Sequence, residues 1–420
     1  MDDAAISGRL TAAEVPVPEP ELTADELVAR AAALRPLLRA QQAENDKRGY
    51  YSDEIHEAFL KAGFYRIMHP RRFGGYQLPQ SVFLRVVMEL ARGHPSTAWC
   101  FTIGGSHGYF LASHYPEEVQ AELFGADGEF RSGQVVGPAG TLTPVEGGYR
   151  LSGTWSFCSG CPISTHMMVG SLLPQPDGPP RLVFAVVRRE DFTILPDWGE
   201  GRFMGMSGSG SNSIKVEDVF VPERWIVGAE FMTGTEAFPD GTPGVQIHKD
   251  PMYQFAAVGW FHCEFGAILS GTAKAALDEF LQIAKTKPMF GNPEVTRIHD
   301  PFVQHLYGVA AGQADSAEAL TLAACQLYEE QQRRSVRDGR PLTGEETMKV
   351  WSMAREACRL AAQAVEDLFH AVGASGGRSD NRMQRYFRDI EMYRLHIQSQ
   401  PTFPARRGKM EFGLPVGFLT

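Results

Sequence analysis

Apolar residues along this chain recur with one period, change to another, and change back, and that double switch limits the available folds more than any single motif does. From residue 23 to 128 the spacing is helical. The stretch "TADELVARAAALRPLLRAQQAENDKRG" opens on Thr23 with Glu26 three positions on, the spacing of a capping box, and "SVFLRVVMELARGHPSTAWC" repeats the amphipathic pattern. Between 129 and 228 alternation takes over. Tyr149, Leu151, Trp155 and Phe157 fall on alternate positions of "GGYRLSGTWSFCSG", "RLVFAVVRRE" is rich in strand formers, and "NSIKVEDVFVP" alternates until Pro222. After a loop over 229–252, of the length that often covers a functional site, four Ala-rich amphipathic segments occupy 253–405, and four such faces bury one another best as a bundle. The expected fold is therefore α+β. It has an N-terminal helical domain (23–128), a central antiparallel β domain (129–228) and a C-terminal four-helix bundle (253–405), flanked by a loose Pro- and Ala-biased arm (1–22) and a tail (406–420).

Charge and cysteine usage exclude whole classes of function. The formal net charge of −10 argues against a nucleic-acid face, which shows as a basic stripe. No run of about 18 apolar residues is present, so no membrane-spanning helix is expected. The N-terminus begins with two aspartates and lacks an apolar core, so it does not read as a secretory signal. Six cysteines (Cys100, Cys158, Cys161, Cys263, Cys325, Cys358) in 420 residues make no disulfide framework and fit a reducing, cytoplasmic setting.

Several motifs carry chemistry on their face. "WSFCSGCPISTH" holds Cys158 and Cys161 in C-x-x-C spacing, but strand precedes and follows it where a redox dithiol needs a helix N-terminus, and no second ligand pair completes a metal site. Alternation puts Ser159 on the face of Leu151, Trp155 and Phe157, as either a satisfied strand-end hydroxyl or a functional one. "GGSHG" matches the G-x-S-x-G of a nucleophile elbow at Ser106, yet its neighbours are helices. "GMSGSGS" (205–211) lacks the Lys-Ser/Thr of a phosphate loop, although its amides and hydroxyls suit a cofactor's polar groups. In "QRYFRDIEMYRLH", Arg385, Asp389, Met392 and His396 fall on one helical face, which fits an interhelical ion pair with a satisfied histidine as well as an active site.

In this order the three units resemble the acyl-CoA dehydrogenase fold over about residues 25–405. "AGFYRIMHPRRFGGY", "GHPSTAW", the W-x-F-x-S-G of "GTWSFCSG", "GMSGSGSNSIKVEDVFVP" and the terminal "QRYFRDIEMYRLH" are similar to that family's signatures. Where its dehydrogenases carry a catalytic glutamate, the turn here reads "GGRSDNRMQ" with Asp380, and an Arg-Asp followed by His396 resembles the flavin-dependent monooxygenase branch instead. The resemblance implies an oxygenase component that takes reduced flavin (FMNH2 or FADH2) from a separate NAD(P)H:flavin reductase, forms a C4a-hydroperoxide with O2 and hydroxylates a small aromatic or phenolic substrate. It further implies a homotetramer, and from charge, hydropathy and ligand spacing no nucleic-acid, membrane or metal partner is expected. By resemblance, Ser159 lies near flavin N5, His396 near the oxygen adduct and His107 at the substrate hydroxyl. Trp155, Phe157, Met206, Ser207, Ser209, Ser211, Lys287, Phe290 and Arg378 contact the flavin, and Trp99 and Tyr253 line the substrate pocket with His107. The rival readings are a dehydrogenase using Asp380 as base and a serine hydrolase using Ser106.

Overall fold

A computed structural model describes residues 14–199, 201–289, 291–414 and 416. Seven helices make the N-terminal unit: α1 (Ala24–Ala40), α2 (Gln42–Arg48), α3 (Asp53–Ala62), α4 (Gln80–Gly93), α5 (Pro95–Gly105), α6 (His107–His114) and α7 (Glu117–Phe124). Thr23 and Glu26 close the expected capping box at the start of α1. The arm is less loose than its composition suggests: Val15 pairs with Phe73, and Glu19 takes both guanidinium ends of Arg30. Residues 1–13 lie outside the described residues.

The central unit is a seven-stranded sheet of β1 (Ser132–Val145), β2 (Gly148–Trp155), β3 (His166–Leu173), β4 (Arg181–Arg188), β5 (Thr193–Ile194), β6 (Ile214–Pro222) and β7 (Ile226–Gly228), in the order β5-β6-β2-β1-β3-β4-β7. It is mixed, which corrects the antiparallel expectation. β2 returns along β1 as a hairpin, the chain reverses again through 156–165, and β3 therefore emerges parallel to β1 on its other side. Alternation within a strand carries no trace of that second reversal. The reversing segment is the one that holds Ser159.

The loop over 229–252 contains the short helix α8 (Pro243–His248) and leads into α9 (Ala257–Thr286). A hairpin, β8 (Pro288–Met289) with β9 (Asn292–Thr296), separates α9 from α10 (Pro301–Arg337), which is followed by α11 (Gly344–Val372), α12 (Arg382–Arg394) and α13 (Thr402–Glu411). α9 is buried along nearly its whole first five turns because it packs on α10 and α11 behind and on α4 and α5 in front. The sequence "AVGWFHCEFGAILSGTAKAAL" accordingly has no polar face. No helix among the described residues is long and apolar enough to cross a membrane.

Candidate active site

The site begins where β2 stops. Phe157 adopts a left-handed backbone (φ +62°), so the alternation of the strand breaks there. Trp155, Phe157 and Ser159 consequently do not share a face. Trp155 is buried and its indole N–H donates to the Gly170 carbonyl at 2.8 Å, whereas Phe157 is 58% exposed with its ring edge-on to Trp198 and Phe203. Gly160 (φ +78°) then turns the chain so closely against α5 that a Cβ there would lie 2.6 Å from the Gly104 Cα. That approach delivers Ser159 to Trp99: the indole N–H donates to Ser159 Oγ at 3.0 Å, and Ser159 continues to Ser211 and Ser211 to Ser209, each at 2.7 Å. The two cysteines are buried, with Cys158 Sγ donating to the Trp155 carbonyl and Cys161 Sγ to that of Gly210. Burial pushes the Cys158 thiol up to about 12, so it is an inert hydrophobe rather than a dithiol partner.

His396 packs on the indole that donates to this hydroxyl chain, and His107 stands on the next helix, α6. α12 ends at Arg394, so His396 sits beyond it on a short 3-10 turn and does not continue the face of Arg385, Asp389 and Met392. Its ring lies 5.8 Å from Trp99 and 4.9 Å from Phe265, and Trp99 and Phe265 are themselves stacked at 4.9 Å. His396 Nδ1 accepts the Gln398 backbone N–H at 3.3 Å, which puts the proton on Nε2, and burial pulls the ring down to about 4. His107, the first residue of α6, is 3% exposed and donates through Nδ1 to the Ile103 carbonyl at 2.9 Å, which leaves Nε2 as an acceptor with no partner. Burial pulls His107 down to about 4 against the opposing pull of the Ile103 and Ser132 backbone and the Gln134 side chain. Neither amide atom of Gln134 has a hydrogen bond.

Helix α12 ties the glycine-rich loop down. Asp389 accepts the Met206 N–H at 2.6 Å and the Ser96 hydroxyl at 3.3 Å, while Arg385 donates to Asp46 at 2.7 Å and His94 meets the other Asp46 oxygen at 3.2 Å. Burial and then the Asp46 charge raise the Asp389 carboxyl to about 6. Met206, Ser207, Ser209 and Ser211 are all buried, and Met206 has a left-handed backbone (φ +53°).

Other expected residues lie apart from this group. Lys287 donates to Ser375 Oγ at the end of the bundle, and Arg378 is exposed and forms an ion pair with Asp380 at 3.0 Å. Arg378 holds the Asp380 carboxyl below the usual range, the opposite of what a buried base needs. Phe290 lies outside the described residues. Tyr253 is buried between Tyr109 and His248 with its hydroxyl donating to the Met68 carbonyl at 3.3 Å. Ser106 is buried at the break between α5 and α6, without the strand that a nucleophile elbow requires.

Gln134, Phe261, Phe265, Asp46, His94 and Glu264 stand near the expected residues without having been expected from the sequence. Phe261 packs 5.5 Å from His107. Glu264 is wholly buried on α9, neither oxygen makes a hydrogen bond, and burial raises it to about 8 although Ser106 and Trp260 lie near enough to favour its charge. A charged residue inside an otherwise apolar helix was the available signal for it. Gln134 and Asp46 gave none.

Comparison with known proteins adds the family context. Two family models match: acyl-CoA dehydrogenase, N-terminal domain, over residues 25–124, and acyl-CoA dehydrogenase, C-terminal domain, over residues 264–401. A pigment production hydroxylase of Rhodococcus sp. (strain ATCC 21145) is 30% identical over 404 residues, covering 94% of this chain and 98% of its own length. The flavin-dependent monooxygenase oxygenase subunit HsaA of Rhodococcus jostii (strain RHA1) is 27% identical over 398 residues, covering 91% and 97%. The crystal structure of 3-HSA hydroxylase from Rhodococcus sp. RHA1 aligns with a TM-score of 0.82 at 26% identity, over 93% of this chain and 98% of that one.

Proposed function

The chain belongs to the flavin-dependent monooxygenases built on the acyl-CoA dehydrogenase fold, and from that premise we propose that it is the oxygenase component of a two-component system. In this reading it receives reduced flavin from a separate NAD(P)H:flavin reductase and hydroxylates a small aromatic substrate with O2. The observation that carries the reading is the Ser159 hydroxyl, fixed by the Trp99 indole and the Ser211–Ser209 chain, beside a neutral His396 packed on the same indole.

The residues present fit a flavin ring. A half-buried hydroxyl at the open end of a serine chain, an aromatic wall of Trp99 and Phe265, and a neutral imidazole N–H offer hydrogen bonds without a charge. Bound reduced flavin would supply the electrons for splitting O2. Ser159 would hold a hydrogen bond at the ring, the apolar wall would exclude water, and His396 Nε2–H would donate to the oxygen being reduced. His107 Nε2, already an acceptor, would take the proton of a substrate hydroxyl, with the Gln134 amide near enough to act on the ring and to orient that group. Lys287 and Arg378, which lie apart from this group, are assigned to the flavin's phosphate end only by the family resemblance, and the exposed, Arg378-paired Asp380 does not fit the role of a dehydrogenase base.

The test mixes the chain anaerobically with reduced FMN or FAD, admits O2 and follows the return of oxidised-flavin absorbance. The reading expects that return to be delayed relative to free flavin, and a small phenol to be hydroxylated during the delay. Oxidation at the free-flavin rate with both flavins would overturn it.

A further inference from the structure

The hydroxyl chain of the site has a direction, set by which of its oxygens can still accept. A serine hydroxyl carries one hydrogen and two acceptor lone pairs. Ser209 is wholly buried, and among the described residues its hydroxyl has a single hydrogen-bond partner, Ser211 Oγ at 2.7 Å. Ser211 is buried as well, and its hydroxyl lies between those of Ser209 and Ser159, each at 2.7 Å. Ser159 is half-buried and meets Ser211 on one side and the Trp99 indole on the other. An indole N–H can only donate, so Ser159 Oγ receives it, at 3.0 Å.

Two directions remain for the three hydroxyl hydrogens. If Ser159 donates inward to Ser211, then Ser211 donates to Ser209, and the Ser209 hydrogen is left buried with nothing to receive it. Stranding a buried donor in this way disfavours the arrangement by roughly 5- to 150-fold. In the outward direction every hydrogen is placed. Ser209 donates to Ser211, Ser211 donates to Ser159, and the Ser159 hydrogen faces the half-open end of the chain, where water or a ligand receives it. Both Ser159 lone pairs are then filled, one by Trp99 and one by Ser211. We infer that Trp99, Ser211 and Ser209 make Ser159 an obligate hydrogen-bond donor, so that Ser211 and Ser209 are positioning residues and the ring atom that meets Ser159 must offer a lone pair rather than an N–H. A hydroxyl free to rotate would serve either. That the acceptor is the N5 lone pair of a flavin rests on the functional reading above, whereas the direction of the chain does not.

Neutron diffraction from deuterium-exchanged crystals of the flavin-free chain reads that direction without any flavin chemistry. The deuterium on Ser209 Oγ should point to Ser211, that on Ser211 to Ser159, and that on Ser159 away from both Ser211 and Trp99. Deuterium on Ser211 pointing to Ser209 would overturn the inference. Binding supplies a second readout, in which the oxidised flavin that the chain takes, FMN or FAD, is compared with its 5-deaza counterpart, where a C–H replaces N5. The wild type should hold the flavin about fivefold or more tighter than the deazaflavin, and Ser159→Ala should hold the two equally. Ser211→Ala should lose most of the preference, because Ser159 is then free to turn, and Ser211→Thr, which keeps the hydroxyl, should restore it. Equal binding of the two by the wild type, or an undiminished preference in Ser211→Ala, would overturn the inference even where the chain delays flavin oxidation. Oxidation at the free-flavin rate would instead count against the functional reading, and the neutron map would still decide the direction.

Discussion

At the residue scale the centre of the account is one hydroxyl with a neighbour on each side. Ser159→Ala removes the acceptor of the Trp99 indole and the first member of the serine chain, so it should shorten the delay in flavin oxidation by at least about tenfold, a loss of about 1.4 kcal/mol or more. Cys158→Ala, one position away, should change the delay less than about twofold, since its thiol is buried and donates only to the Trp155 carbonyl. Stopped-flow absorbance on the two variants compares them directly. The histidines make a second prediction. His107 and His396 both titrate near 4 in the folded chain, below their ordinary 6.5, so both remain neutral through the neutral range. A kcat/KM profile should therefore show no acid limb near 6.5. Alternation alone marks Ser159 only as a hydroxyl near an aromatic pair and its expected role came from the family resemblance, while the pattern misassigned its face because the left-handed turn at Phe157 is invisible to alternation.

At the element scale the site depends on two close approaches. Gly160 sits against Gly104, and Gly205 sits where a Cβ would be 2.1 Å from the Arg388 carbonyl. Gly160→Ala should cost about 2 kcal/mol or more, from left-handed strain plus the clash, and should shorten the delay because the turn can no longer reach Trp99. Denaturant unfolding reads the first effect and stopped-flow the second. Asp389→Ala leaves the Met206 N–H without its charged acceptor and should cost about 1.5–3 kcal/mol while weakening flavin binding, with Asp389→Asn losing less. The order helix, sheet, bundle was legible because long periodic segments carry it. The mixed sheet and the anchoring of the 205–211 loop were not, because both are set by pairings between residues far apart in the chain, such as Asp389 with Met206 and Arg385 with Asp46.

At the scale of the whole molecule, buried titratable groups set the pH range of stability. His69, His107, His114, His262 and His396 titrate near 3 or 4 when folded and near 6.5 when unfolded. Their folded values are depressed, so the unfolded chain takes up their protons first, and stability that is full above about 6.5 is lost as the pH falls toward 4. Glu264 acts in the opposite sense. Its folded value near 8 lies above its ordinary 4.5, so its burial weakens the fold progressively as the pH rises from 4.5 to 8. Thermal melts should show steep destabilisation below about pH 6, and Glu264→Gln should flatten the decline on the alkaline side. Neither trend bears on whether the assembled site handles oxygen as proposed. That claim is tested most directly by the anaerobic mix of wild-type chain with reduced FMN or FAD followed by O2. The lag before oxidised flavin returns should be long in the wild type and in Cys158→Ala and short in Ser159→Ala. Oxidation as fast as that of free flavin, or a lag that Cys158→Ala abolishes and Ser159→Ala preserves, would contradict it.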